Sequence, residues 1–412
     1  MIRPYVDLLR LPGALAFSSA GLLARMPMSM TGLGIVLLVS AESGSYALAG
    51  ALAAAFAVSA SLLSPIGSRL VDRYGQARLL PVLAGVGGLA VYAFAWAAVH
   101  ELPVALLAVT AIVAGAFQPN IGAFVRARWS ARLSGTPRLT TAFALESVLD
   151  ELVFVVGPPL ATILATAVAP ASALIIAATL LIIGSALLAV QRGTQPLPSR
   201  HDDEPRATSA IRLPVVVIIG VIFLLLGGVF GATDVTVVAF AQQRDAGAMA
   251  GVLLALFAVG SLVGGLLYGT LDLPVPLPRQ LWMSLAALAA GCALIPFVGT
   301  LWLLGALALV AGFAVAPTLI IGMTIVENVV PGRQLTEAIS WTTTGIALGV
   351  ALSAAGAGML IDHVGTSAAF TIPVASAGAA ALVAYLARGR LTALWRAEST
   401  PGAGPEQSLR RD

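Results

Sequence analysis

Apolar runs of about twenty residues, long enough to cross a bilayer as helices, recur from one end of this chain to the other. No other feature constrains the fold as strongly. In lipid, every backbone N–H and C=O must be satisfied inside the protein, so only helices and closed barrels span. A barrel would show weaker alternating segments of about ten residues, and the sequence does not read that way. Of the 412 residues, 59% are apolar and 10% charged, against roughly 25% charged in an ordinary globular domain. The chain reads as an all-α polytopic membrane protein.

Twelve apolar segments are legible, at 12–40, 46–70, 79–99, 103–126, 139–166, 171–190, 213–241, 248–270, 280–298, 301–326, 336–361 and 368–388. The first runs past Arg25 with no small-residue cleavage site, so it reads as a retained helix rather than a signal peptide. The longest polar break, QRGTQPLPSRHDDEPRATSAIR from Gln191 to Arg212, is rich in Pro and charge and reads as a flexible linker. The expected layout is a six-helix bundle over 1–190, a linker over 191–212, a second six-helix bundle over 213–389 and a frayed cytoplasmic tail over 390–412.

The two halves repeat each other. AGALAAAFAVSASLL at Ala49 matches AGVLLALFAVGSLVG at Ala250, LTTAFA at Leu139 matches LTEAIS at Leu335, and VAGAFQPNIG at Val113 echoes VAGFAVAPTLI at Val310. Parallel six-helix repeats build transporters with a central site near the bilayer midplane.

Loop charge sets the orientation of such a chain. Every basic residue is Arg. Twenty arginines fall at the termini, the linker and alternate connections, including Arg126, Arg128, Arg132 and Arg138 after the fourth segment. Only Arg244 falls in an opposite loop, and Arg25 lies inside a segment. Both termini are therefore expected in the cytoplasm. The Ala-, Gly- and Arg-rich, Lys-free composition points to a GC-rich bacterium, and hence to its inner membrane.

Between the second and third segments stands SRLVDRYGQARLL, Ser68 to Leu80. It resembles the loop signature Gly-x-Leu-x-Asp-Arg-x-Gly-Arg-Arg of the major facilitator superfamily. Leu70, Asp72, Arg73 and Gly75 match, while Ser68, Gln76 and Ala77 depart and Arg78 stands close by. A degenerate copy, YGTLD, ends at Asp272. The resemblance implies a twelve-helix facilitator fold in two pseudo-symmetric bundles. It also implies that Asp72, with Arg73, Gly75 and Arg78, forms a conformational-switch loop clasping the interface of the halves in the outward-facing state. GPPLAT from Gly157 resembles the helix-five signature of drug/proton antiporters at Gly157 and Pro158, with Ala161 and Thr162 where glycines are usual. Proline bends a membrane helix and small neighbours let helices approach.

Charges inside such a bundle are costly and functional by default. Arg25 lies about 21 Å along the first segment. On the fifth, Glu146 is about 10 Å in, and Asp150 and Glu151 about 17–18 Å in. Glu146 and Asp150 share a face; Glu151 is turned by about 100°. Three crowded anions repel, so at least one is expected to hold a proton. The family places helices one and five side by side, so the resemblance implies that Arg25 meets Asp150 or Glu151. The paired acid would stay ionised and the other would titrate. A static neutral pair is the competing reading. Asp234 on the seventh segment is a second proton or cation group, a gate residue, or a lining of a wet vestibule. Gln118 and Asn120 on helix four, Thr318 on helix ten, and Met26 and Met28 on helix one are expected in the substrate cavity that the resemblance places among helices one, four, seven and ten.

Cys292 is the sole cysteine, so no disulfide forms within the chain. His100, His201 and His363 form no metal-spaced group, no phosphate-binding loop is present, and no nucleophile–base spacing suggests an enzyme. The expectation is a monomeric secondary transporter needing no cofactor beyond a proton gradient. Its partners would be lipid, protons and a small-molecule substrate, with no nucleic acid. The expected activity is proton-coupled efflux, by antiport, of a small apolar or amphipathic compound, with multidrug exporters as the nearest type. Alternatives are a sugar or metabolite transporter, by symport or uniport, and a non-transporting sensor on the same fold.

Overall fold

The computed structural model describes residues 3–133, 136, 138–196, 210–270, 273–330 and 332–399. Among them there is no strand. Twelve helical spans are long and apolar enough to cross a membrane. They are α1 (Ala14–Arg25 and Pro27–Ser43), α2 (Tyr46–Tyr74), α3 (Gln76–Val99), α4 (Val104–Ala116 and Ile121–Leu133), α5 (Arg138–Ala167) and α6 (Ser172–Val190). The second half repeats the count: α7 (Pro214–Gln242), α8 (Met249–Thr270), α9 (Leu277–Ala293), α10 (Leu301–Gly312 and Val315–Val329), α11 (Gly332–His363) and α12 (Thr371–Ser399). A short helix, Arg3–Leu9, precedes them.

Three spans are interrupted near their middles, each beside a proline. Pro27 opens the second half of α1, Pro119 lies in the 117–120 break of α4, and Pro317 sits in the first turn of the second half of α10. Proline has no N–H to give to the preceding turn, but fits a first helical turn where that N–H would lack a partner. The breaks in α4 and α10 occupy corresponding places in the two repeats.

The short connections place the N-terminus, the 191–212 segment and the end of α12 at one end of the molecule, here the linker end; the opposite end is the far end. Hydrogen bonds join the two halves at the far end. Asp362 meets Ser45, Tyr46 and Ala47, Tyr46 meets Gln242, and Thr162 reaches Ala248 at 3.5 Å. The seams there are close. A Cβ on Gly50 would collide with Ala354 O, and one on Gly251 would lie 2.5 Å from Pro158 O. At the linker end, apolar side chains of α2 and α8 are open, with Leu62, Ile66, Leu266 and Leu267 each more than half exposed. The halves are closed against each other at the far end.

Three expectations are corrected. The fourth segment runs to Leu133, seven residues past its expected end, because Ile121, Phe124, Val125, Arg128 and Trp129 form one buried stripe; Arg126 and Arg128 are therefore not loop charges. The start of the linker is docked rather than free. Arg128, fully buried, donates to Leu188 O, Gln191 O and Thr194 Oγ1, and Gln195 Oε1 accepts from Ala77 N–H. The tail does not fray at residue 390: α12 continues to Ser399, held by Leu391, which is fully buried.

Candidate functional site

Arg25 ends the first half of α1, where the chain steps into Pro27, and is 2% exposed. Its guanidinium forks onto α5. Nη1 donates to Asp150 Oδ1 at 2.8 Å and Nη2 donates to Glu146 Oε2. One arginine reaches both acids because residues four apart project from one side of a helix.

The two acids differ in their surroundings. Glu146 is fully buried and accepts from three groups: Arg25, Ser18 Oγ at 3.0 Å and Trp129 Nε1 at 2.8 Å. An ionised carboxylate only accepts hydrogen bonds, so this surrounding fits the anion. Phe17 packs edge-on against Trp129, ring centroids 4.7 Å apart, and fixes the indole. Asp150 is 25% exposed and bridges two arginines: Oδ1 takes Arg25 and Oδ2 takes Arg126 Nη2 at 2.7 Å. Two cations and two anions form a balanced cluster across α1, α4 and α5.

Glu151 stands apart from this cluster. The expectation left open whether Arg25 meets Asp150 or Glu151. The structure gives Arg25 to Asp150 and Glu146, and Glu151 has no hydrogen bond or ion pair among the described residues. The reason is helical phase. Positions 146, 150, 153 and 157 face α1, where Ser29 Oγ donates to Val153 O at 2.9 Å. Position 151 falls in phase with Pro158 and Thr162, the residues that meet α8 near Gly251. Glu151 therefore lies on the side of α5 turned toward the other half, two turns from the far-end seam.

Gly157 is required where it is. A Cβ there would collide with Ser29 Oγ, so α1 and α5 reach their spacing only with glycine. Pro158 remains inside a continuous α5. Asp234 sits within α7, half-buried, also without a hydrogen-bond or ion-pair partner among the described residues.

The cavity expectations fare unevenly. Met28 is exposed and Met26 half-buried at the α1 break. Gln118 is half-buried in the α4 break, and Asn120 is exposed there, its Oδ1 capping Ala123 N–H at 3.2 Å. Thr318 does not line a cavity. It is fully buried, donates to Ala314 O at 2.7 Å and pairs with Ser284 Oγ of α9 at 2.8 Å, because its face of α10 packs on α9.

In the loop motif, Gly75 joins α2 to α3 with φ 90, a backbone angle that favours glycine. Arg73 and Arg78 are exposed at the linker end. The side chain of Asp72 lies outside the described residues. Gln76, at a position where the family signature is basic, donates to Phe124 O at 3.1 Å and accepts from Arg128 Nε at 2.7 Å. The arginine is thus supplied from α4. No group of three or more metal-ligating residues occurs among the described residues.

Twelve spans in two repeated halves, sealed against each other at the far end and with a charge cluster buried inside the first half, are the build of a secondary transporter rather than an enzyme. The sequence matches the Major Facilitator Superfamily over residues 17–272 and 246–409, and the chain belongs to that family. No curated protein matches it. Among solved structures it resembles the nucleoside transporter NupG. That likeness has 14% identity over 93% of this chain and 98% of that one, with a TM-score of 0.70. It also resembles a bacterial homologue of the iron transporter ferroportin in an inward-facing state, at 14% identity over 91% and 99% and a TM-score of 0.68. The human organic anion transporter MFSD10 (TETRAN) follows at 17% identity over 90% and 98%, with a TM-score of 0.61. At these identities the likeness defines the fold.

Proposed function

We propose that this protein is a proton-coupled exporter of a small amphipathic compound, and that Glu151 carries the proton. The observation that supports this is the division of labour on α5. Glu146 and Asp150 are neutralised by Arg25 and Arg126, whereas Glu151, on the side of α5 turned toward the other half, has no hydrogen-bond or ion-pair partner among the described residues. At helical spacing from Gly251, the next residues on that face of α8 are Ala255, Ala258 and Leu262. Closing the linker end presses Glu151 onto that apolar stripe. An unpaired ionised carboxylate there costs several kcal/mol; a protonated one costs far less. Proton binding thus permits closure at the linker end and opening at the far end, and proton release favours the reverse. Asp234, likewise unpaired, is a second candidate group for a proton or cationic substrate.

Export is supported by the antiporter-like Gly157–Pro158 step. The orientation proposed follows loop charge: with Arg126 and Arg128 assigned to α4, eighteen arginines of the sequence remain in the termini, the linker and the connections of that side against Arg244 opposite, a balance that favours a cytoplasmic linker end, and the Lys-free, Arg-rich composition favours a bacterial inner membrane.

The test is transport in proteoliposomes under an imposed pH gradient, with ethidium among a panel of amphipathic dyes. Wild type accumulates dye against its gradient. Glu151→Gln loses gradient-driven accumulation yet keeps dye exchange at equal pH on both sides. Full pH-driven accumulation by Glu151→Gln contradicts the assignment.

A further inference from the structure

The far-end seam contains a carboxylate that the proton reading does not use. Asp362, one residue from the end of α11, takes three hydrogen bonds from the start of α2. Ser45 Oγ donates to it at 2.9 Å, Tyr46 N–H at 3.0 Å and Ala47 N–H at 2.8 Å. Ser45 is itself the N-cap of α2, its hydroxyl accepting from Leu48 N–H at 3.1 Å. The first N–H groups of a helix have no partner within it, and together with the helix dipole they favour an anion. Here that anion comes from the other half of the molecule. Beside it, the Tyr46 hydroxyl bonds Gln242 of α7, a second tie across the same seam.

These bonds join two bodies that must part. The far end of a facilitator opens only if α2 leaves α11, and each of the three bonds spans that gap. We infer that Asp362 is a gating residue of the transport cycle: capping α2 from the opposite half, it holds the far end shut and sets how often it opens. The antiparallel register supports this. Gly358 lies against Tyr46 and Gly50 against Ala354, and the same step along both helices brings position 72 level with Gly332, the first residue of α11. Asp362, near the C-terminal end of α11, is thus level with the start of α2, as position 72 near the C-terminal end of α2 is with the start of α11. Asp362 is engaged at the far end, and position 72 carries the aspartate of the loop motif. The inference rests on alternating access alone and is independent of which acid carries the proton.

The experiment is a spin-label distance measurement on the full-length protein in nanodiscs. His100→Cys and Phe297→Cys report on the far end, in a Cys292→Ala background. Asp362→Ala raises the ratio of far-end-open to far-end-closed molecules roughly five- to thirtyfold, the span set by losing an interaction of this kind. Asp362→Asn, which keeps the size and one acceptor, gives a smaller rise. Asp362→Glu restores the closed population. A purely structural role would lower the melting temperature of Asp362→Ala without moving the distance distribution. Distributions that superimpose on wild type in both Asp362→Ala and Asp362→Asn overturn the inference.

Discussion

Glu146 and Glu151 are five residues apart on one helix and have opposite fates. Glu146 is enclosed by Arg25, Ser18 and Trp129. Removing one member of a buried ionic cluster leaves the rest unpaired and costs about 3–5 kcal/mol. Glu146→Ala therefore lowers stability by about that amount, read as a fall in the thermal unfolding midpoint in detergent. Trp129→Phe, which removes one donor to the carboxylate and keeps the ring packing, costs less, about 1.5–3 kcal/mol. The acids and Arg25 are legible as charges in an apolar run, and the phase difference between Glu151 and its neighbours follows from residue spacing. Arg126 is harder to read. It looks like a loop charge because the apolar run fades before it. The stripe at 121, 124, 125, 128 and 129 carries the missing signal: amphipathic helix spacing continues where hydropathy falls.

The elements show why this cluster holds its shape. α1 and α5 meet where Gly157 lies beneath Ser29, so Gly157→Ala forces the helices apart and costs about 1–3 kcal/mol. Ser29→Gly in the same chain relieves the clash, and the double variant recovers most of the stability. A double-mutant cycle on unfolding midpoints checks this, and simple additivity of the two losses would contradict it. α4 is tied to the linker by Arg128, whose four hydrogen bonds reach Gln76, Leu188, Gln191 and Thr194. Arg128→Met frees the start of the linker. Amide exchange over 191–196 should rise by an order of magnitude or more, while α1 to α3 exchange as before. Polar composition makes the linker look flexible throughout; it reports what a segment cannot bury, but not that a buried arginine from another helix binds one of its carbonyls and one of its hydroxyls. Thr318 illustrates the converse. A hydroxyl in an apolar span suggests a cavity group, yet threonine also satisfies itself on the preceding turn and packs inward, as it does here.

At the scale of the whole molecule, twelve spans, the repeat and the family are all readable because hydropathy period and loop motif are local properties. The closed end is not readable, since it depends on which of two packings of the same halves is present. Glu151 lies on the side of α5 turned toward the other half, and the far end is shut by the seam that includes Asp362. Acidification should protonate Glu151, remove the cost of pressing it onto α8, and shift molecules toward a closed linker end. The most direct test needs no substrate. Spin labels at Ala131→Cys and Arg279→Cys report the linker-end distance in nanodiscs across a pH series. Wild type should move from long to short distances as the pH falls, and Glu151→Gln should hold the short distribution at every pH. If Glu151→Gln follows pH as wild type does, Glu151 is not the group that couples protons to alternation.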